Sequence, residues 1–409
     1  MSTLPELIKI KQLFDDSHIE DIKSHVETEC STFSTRFKKG EKIAVTVGSR
    51  GISNLVLIIK TIVEFFSSRG HEVVIIPAMG SHGGATAEGQ VEVLQGYGIT
   101  KESTGAEILS SMEVVELDSE GLENRVFVDK NAYECDAVIV VNRIKAHTDF
   151  SSEIESGLIK MCCIGLGKQK QAVEIHKHGV YGLTYLLKPT SERIIRDANV
   201  RMGIAIVENS YHQTKTIKAV EPDAFYEEEK KLFVEANENL AQLPVEQIDI
   251  LCVDEMGKNI SGVGIDPNVI GCTGIRYQDP KNAVKIQTII ADDITPESHG
   301  NAIGVGLADI ISEKLYKKID FHATYENTIT SSFLERAKVP IVKPNYEEAL
   351  KVAMDVSGKS NDEVRLVKIK NTQELSELYV SKAVYKELEG KTHIETVGSF
   401  ITWEEAEPL

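Results

Sequence analysis

The stretch "NRIKAHTDFSSEIESGLIKMCCIGLGK", residues 142–168, followed by "EIHKH", concentrates residue types that do chemistry. His147 follows an apolar run, Lys160 sits among small and apolar residues, and His176 and His178 come close behind. Histidine is the side chain whose unperturbed pKa suits proton transfer in both directions near neutrality. A lysine in apolar surroundings can lose its proton by desolvation and act as a nucleophile, or snorkel its ammonium to solvent. His176 and His178 are two apart, so on a helix at most one faces a given site, as a metal ligand or a surface residue. Cys162 and Cys163 read as small buried hydrophobes before they read as soft-metal ligands. Four further residues recur in the same context: Arg50 and Ser49 after "KIAVTVG", His82 after "VVIIPAMGS", and Lys258 after "DILCVDEMG". Arg50 lies between Gly48 and Gly51, where a guanidinium could fork onto a carboxylate or form a surface ion pair.

The elements that must position these residues follow a strand, loop, helix scheme. "KIAVTVGSRG" reads as a buried strand ending in a glycine loop and "ISNLVLIIKTIVEFFSSRG" as a helix closed by Gly70. "HEVVIIPAMGSHGG" and "CDAVIVVNRIKAH" repeat the strand, and a helix opens near Thr86. "MGIAIVEN" and "TKTIKAVEP" suggest a hairpin or edge pair, residues 222–242 a charged connecting helix, and "GNAIGVGLADIISEKLYKKI" a helix. Continuous apolar strands alternating with helices predict an α/β fold, two domains with largely parallel sheets flanked by helices. The boundary is expected near residue 243, giving 1–243 and 244–409. In open α/β sheets ligands bind at the carboxyl ends of the strands, so Arg50, His82, His147 and Lys258 should converge there, with the active site in the cleft between the domains.

Composition excludes several classes. Over 409 residues the formal charge is −18, 42% of residues are hydrophobic and 26% charged, without a basic stripe, which disfavours nucleic acid as partner. No apolar run reaches membrane-spanning length and the N-terminus has no signal-like core, so a cytoplasmic location is expected. Six scattered cysteines fit a reducing compartment and no structural zinc site. "CCIGLGKQK" ends like a phosphate-binding loop, but Cys162 replaces its first glycine and Gln169 its hydroxyl residue. "GVGLAD" is half a dinucleotide fingerprint, and there is no nucleophile elbow.

As a set, "GSRGI", "PAMGSHGGATAEG", "NRIKAHTDF", "ESGLIKM" and His176 resemble, in order and spacing over roughly residues 40–270, the lactate racemase family. The resemblance implies two α/β domains enclosing a nickel-pincer nucleotide, a pyridinium mononucleotide whose nickel is held by two sulfurs, a ring carbon and a histidine. On that resemblance Lys160 is the covalent tether of the nucleotide, His176 the nickel ligand, His82 and His147 the acid/base pair, and Arg50 the residue that orients the substrate carboxylate. It implies inversion of a hydroxyl-bearing carbon through a transient ketone, by proton-coupled hydride transfer, and dependence on cofactor-synthesis enzymes as partners. Departures mark a divergent branch: Val47 stands where the family has an aspartate, Gly83 where it has arginine, and Leu158 and Ile159 where it has two glycines. "MGKNISGVGIDPNVIG" replaces the family's substrate-binding segment, making Lys258 or Asn259 the expected substrate contact there. A racemase or epimerase of a 2-hydroxy acid or related metabolite, other than lactate, is the leading expectation. A metal-dependent hydrolase or dehydratase, or a non-catalytic cofactor-binding protein, are the alternatives.

Overall fold

The computed structural model describes residues 4–276, 283–406 and 408–409. The chain divides into two compact units, Asp15–Leu240 and a second made of the residues up to Phe14 with Ala241–Leu409. The opening residues, expected with an N-terminal domain of 1–243, thus belong with the C-terminal residues. The physical reason is the strand Leu7–Gln12 (β1), whose buried Leu7, Ile8 and Ile10 alternate with charge as a half-buried strand requires. Charge mixed into apolar positions here marks a sheet partner.

Within Asp15–Leu240 the strands are Lys42–Val47 (β2), Glu72–Pro77 (β3), Glu107–Ile108 (β4), Val114–Leu117 (β5), Val126–Asp129 (β6), Ala137–Arg143 (β7), Val200–Glu208 (β8) and Thr214–Val220 (β9). One sheet runs in the order β4-β3-β2-β7-β8-β9, parallel except for β9, which returns antiparallel on β8. β5 and β6 form a separate antiparallel ribbon. Helices cover both faces, which is why the strands read as unbroken apolar runs. Ile43, Val45, Ile75 and Ile139 pack with the helices Ile22–Phe33 and Leu55–Ser67. Ala44, Val74, Ile76, Val138 and Val140 share the opposite core with residues of Leu187–Asp197 and Phe225–Glu238. The last of these was expected as a connector. Its Phe225, Leu232 and Phe233 are buried, so it is a structural layer of the unit.

The second unit contributes Gln247–Met256 (β10), Lys285–Ile294 (β11), Ile310–Ser312 (β12), Ile341–Lys343 (β13), Leu366–Ile369 (β14), Glu377–Ser381 (β15) and Ile394–Ile401 (β16). Its sheet order is β13-β12-β11-β10-β14-β15-β1-β16, parallel from β13 to β14 and antiparallel through β15, β1 and β16. The helix expected over "GNAIGVGLADIISEKLYKKI" is only Glu313–Lys318. Gly304 sits at φ +93, where a helix cannot continue, and the following Ile310 and Ile311 are buried in β12. Both units are α/β, with mostly parallel strands.

Candidate functional site

Parallel pairing of β3, β2 and β7 puts the loops after these strands at one edge of the sheet. The loop after β2 carries Ser49 and Arg50, that after β3 carries His82, and that after β7 carries His147. Ser49 Oγ is hydrogen-bonded to His82 Nδ1, and Arg50 Nη1 lies 3.4 Å from the same nitrogen. Tyr97 donates to the Ser49 carbonyl at 3.0 Å and holds this loop from the neighbouring helix. Arg50 and His82 are therefore brought together directly, both exposed.

His147 is half-buried, its ring 4.9 Å from that of Phe150. The Asp149 amide donates to His147 Nδ1 at 3.1 Å, so the neutral ring carries its proton on Nε2. A second proton, on Nδ1, would be met by Asp149 Oδ2, 3.9 Å away. Glu155 pins the loop by accepting from the amides of His147 at 2.6 Å and Ser152 at 3.0 Å. Burial pushes the Glu155 carboxyl up to about 7, against the pull of those amides and of Lys160.

Lys160 ends a short helical segment that begins at Leu158 and passes into a single wide, π-type turn at Met161–Gly165, a distortion frequent at functional sites. Among the described residues its amine has no hydrogen-bond or ion-pair partner and lies 5.8 Å above the Phe150 ring. Burial pushes it down to about 8; Asp149 and Glu155 oppose that shift, while the charges of Arg50 and Lys145 add to it. These mutual influences place Arg50, Asp149, Glu155 and Lys160 in one electrostatic cluster. His176, at the end of helix Lys168–His176, joins it: partial desolvation and the Lys160 charge lower its pKa, against Asp149. The ring is thus neutral and able to donate a lone pair. Burial keeps both the Cys162 and Cys163 thiols protonated, so these residues pack.

The helix bearing Lys160 starts where Gly157 allows close approach. A Cβ there would fall 2.4 Å from the Glu229 carboxyl carbon and 2.6 Å from Ile144 Cδ1. Through this gap Glu229 accepts from the Ile159 amide at 2.9 Å, capping the helix start. Burial pushes this carboxyl up to about 7. Sequence reasoning passed over Glu229 because it lies in a run of surface-like charge. It also passed over Asp149 and Glu155, although "HTDFSSEIE" sets both carboxylates between His147 and Lys160.

Lys258 and Asn259 lie in the other unit, beyond the carboxyl end of β10. Lys258 Nζ donates to Gly262 O at 2.7 Å and to Asn327 Oδ1 at 2.9 Å, and Asn259 Oδ1 accepts from Thr295 Oγ1 at 2.6 Å. Both are tied into a local polar network. Among the described residues no group of three or more His, Cys, Asp or Glu side chains is placed to hold a metal ion, and no helix is long and apolar enough to cross a membrane.

No protein-family model and no curated protein matches the chain. A solved structure does: the lactate racemase apoprotein from Thermoanaerobacterium thermosaccharolyticum, with a TM-score of 0.54 at 14% sequence identity, covering 90% of this chain and 99% of that one. The chain has the lactate racemase fold. The Lys160 amine, without a hydrogen-bond or ion-pair partner among the described residues, could take a covalent bond, and the neutral His176 ring could donate a lone pair to a metal ion.

Proposed function

We propose that the chain is a racemase or epimerase that inverts a hydroxyl-bearing carbon, in a 2-hydroxy acid or related metabolite, with a nickel-pincer nucleotide as cofactor. The observation that carries this reading is the half-buried Lys160 amine, without a hydrogen-bond or ion-pair partner among the described residues, in one charge cluster with His176, Asp149 and Arg50. An amine that pushes against desolvation and has no counter-ion in contact is poised for covalent attachment. When bound, the nucleotide supplies the hydride acceptor that proton-transfer residues lack. Arg50 orients the substrate carboxylate, and His82 beside it takes or returns the hydroxyl proton. His147 serves the other enantiomer. The Asp149 carboxylate near its Nδ1 favours the protonated ring when it takes up the hydroxyl proton. Lys258 and Asn259 are the proposed substrate contacts of the C-terminal residues, and cofactor-synthesis enzymes the proposed partners.

Coexpression with enzymes that make the cofactor should yield protein with a nucleotide-sized mass adduct at Lys160 and bound nickel. That protein should invert one member of a panel of 2-hydroxy acids without incorporating solvent deuterium at the inverted carbon. His82→Ala and His147→Ala should retain the adduct and lose turnover. Protein carrying neither adduct nor nickel under these conditions sinks the proposal. A hydrolase using an ordinary divalent metal is less favoured, since it needs a cluster of protein donors and the described residues form none.

A further inference from the structure

The lysine that ends "CCIGLGK" has no part in the chemistry above, yet it is among the most buried side chains of the molecule. Lys168 is fully buried and holds a left-handed backbone, φ +55, at the first position of the helix that ends at His176. Its ammonium has three donors and three partners: Asp129 Oδ2 at 3.0 Å, Pro77 O at 2.5 Å and Gln90 Oε1 at 2.9 Å. Gln90 is also fully buried, and its amide nitrogen reaches Gly80 O at 3.0 Å and His82 O at 3.3 Å. One connected set of bonds therefore runs from a buried ion pair to the backbone that carries His82.

Buried ion pairs contribute little net stability relative to apolar residues of similar size, so their presence calls for another reason. Here the acceptors supply one. Pro77 O ends the strand β3, Gly80 O and His82 O belong to the loop that follows it and presents His82, and the lysine starts the helix that presents His176. The loop is close-packed on the same side: a Cβ on Gly83, at φ +66, would sit 2.6 Å from the backbone of Gly89 and Gln90. We infer that Lys168, Gln90 and Asp129 are positioning residues, which lock the His82 loop in place relative to the helix carrying His176. The catalytic consequence rests on His82 being an acid/base group; the locking of the loop does not.

Gln90→Met tests this, because it keeps side-chain volume and the Lys168–Asp129 pair while removing both bonds to the loop. Hydrogen–deuterium exchange over residues 78–86 should rise by about tenfold or more, while exchange over 42–47 and 137–143 stays unchanged. In cofactor-loaded protein, kcat should fall roughly 10- to 100-fold in both directions, with a smaller change in KM. The double variant Lys168→Met/Asp129→Asn, which leaves no unpaired buried charge, should show the same local exchange. Unchanged exchange over 78–86, or a rise spread over all three segments, overturns the inference. A local rise in exchange, with turnover insensitive to His82→Ala, upholds the locking and overturns the role assigned to His82.

Discussion

Lys160 is defined by what surrounds its amine: the Phe150 ring, other cations, and carboxylates near enough to act on it without contact. Its lowered pKa gives a test independent of any cofactor. Labelling of Lys160 by an amine-acylating reagent, followed by peptide mapping across pH, should be half-maximal near pH 8, while exposed lysines require about pH 10.4. If Lys160 titrates with the exposed lysines, its amine is not desolvated. Glu229 makes the opposite case, a carboxyl held near pH 7 by burial from an ordinary 4.5. Between those values the folded state binds a proton that the unfolded state has lost, so this group lowers stability as pH rises through the window, and fully above it. Glu229→Gln keeps an acceptor for the Ile159 amide and removes the charge. Denaturant unfolding should find it more stable than the parent at pH 8, by up to about 3 kcal/mol, with the gain vanishing below about pH 4.5. His82, His147, Lys160 and His176 stood out by type and spacing. Their supporting carboxylates were not, because a charged residue in a surface-like run betrays nothing of its burial.

The loops after β2, β3 and β7 show how an element turns residue types into a site. Each follows a parallel, fully covered strand, and each is held by a specific contact: Tyr97 on the Ser49 carbonyl, Gln90 on the His82 loop, Glu155 on the His147 amide. Gly83 and Gly84 separate two requirements. Both have positive φ, but a Cβ on Gly83 meets backbone at 2.6 Å, whereas one on Gly84 meets nothing within 4 Å. Gly84→Ala should lower stability by about 1 kcal/mol through backbone conformation alone. Gly83→Ala must also displace the helix behind it, and should lower stability by roughly 2–3 kcal/mol while reducing turnover about a hundredfold. Thermal unfolding and kinetics of the two variants side by side check this; equal effects would remove the close-packing argument. Strand and helix periods made most of these elements legible in advance. The misread helix around Gly304 shows the limit, since a short buried strand and a helical segment share the same apolar letters until a left-handed glycine separates them.

At the scale of the whole chain, the first strand and the last are linked through pairing that no local pattern announces. β16 is the edge of its sheet and pairs with β1. Removing residues 1–14 should therefore strip β16 of its partner. Amide exchange over 394–401 should approach that of an unstructured segment, while β2, β3 and β7, which share no strand pairing with those residues, keep their protection. Retained protection over 394–401 would show that another element holds β16. The sequence by itself determined the α/β class, the strand-end loops and the histidines, lysine and arginine they carry, since hydrophobic period and turn residues act over a few neighbouring positions. Only the tertiary structure decided that the N-terminal strand completes the C-terminal sheet, that Glu229 caps the Lys160 helix, and that Lys168 reaches the His82 loop. Strand pairing and desolvation are set by residues far apart in the chain, and a side chain's letter does not say whether it will meet water, another charge or a backbone carbonyl.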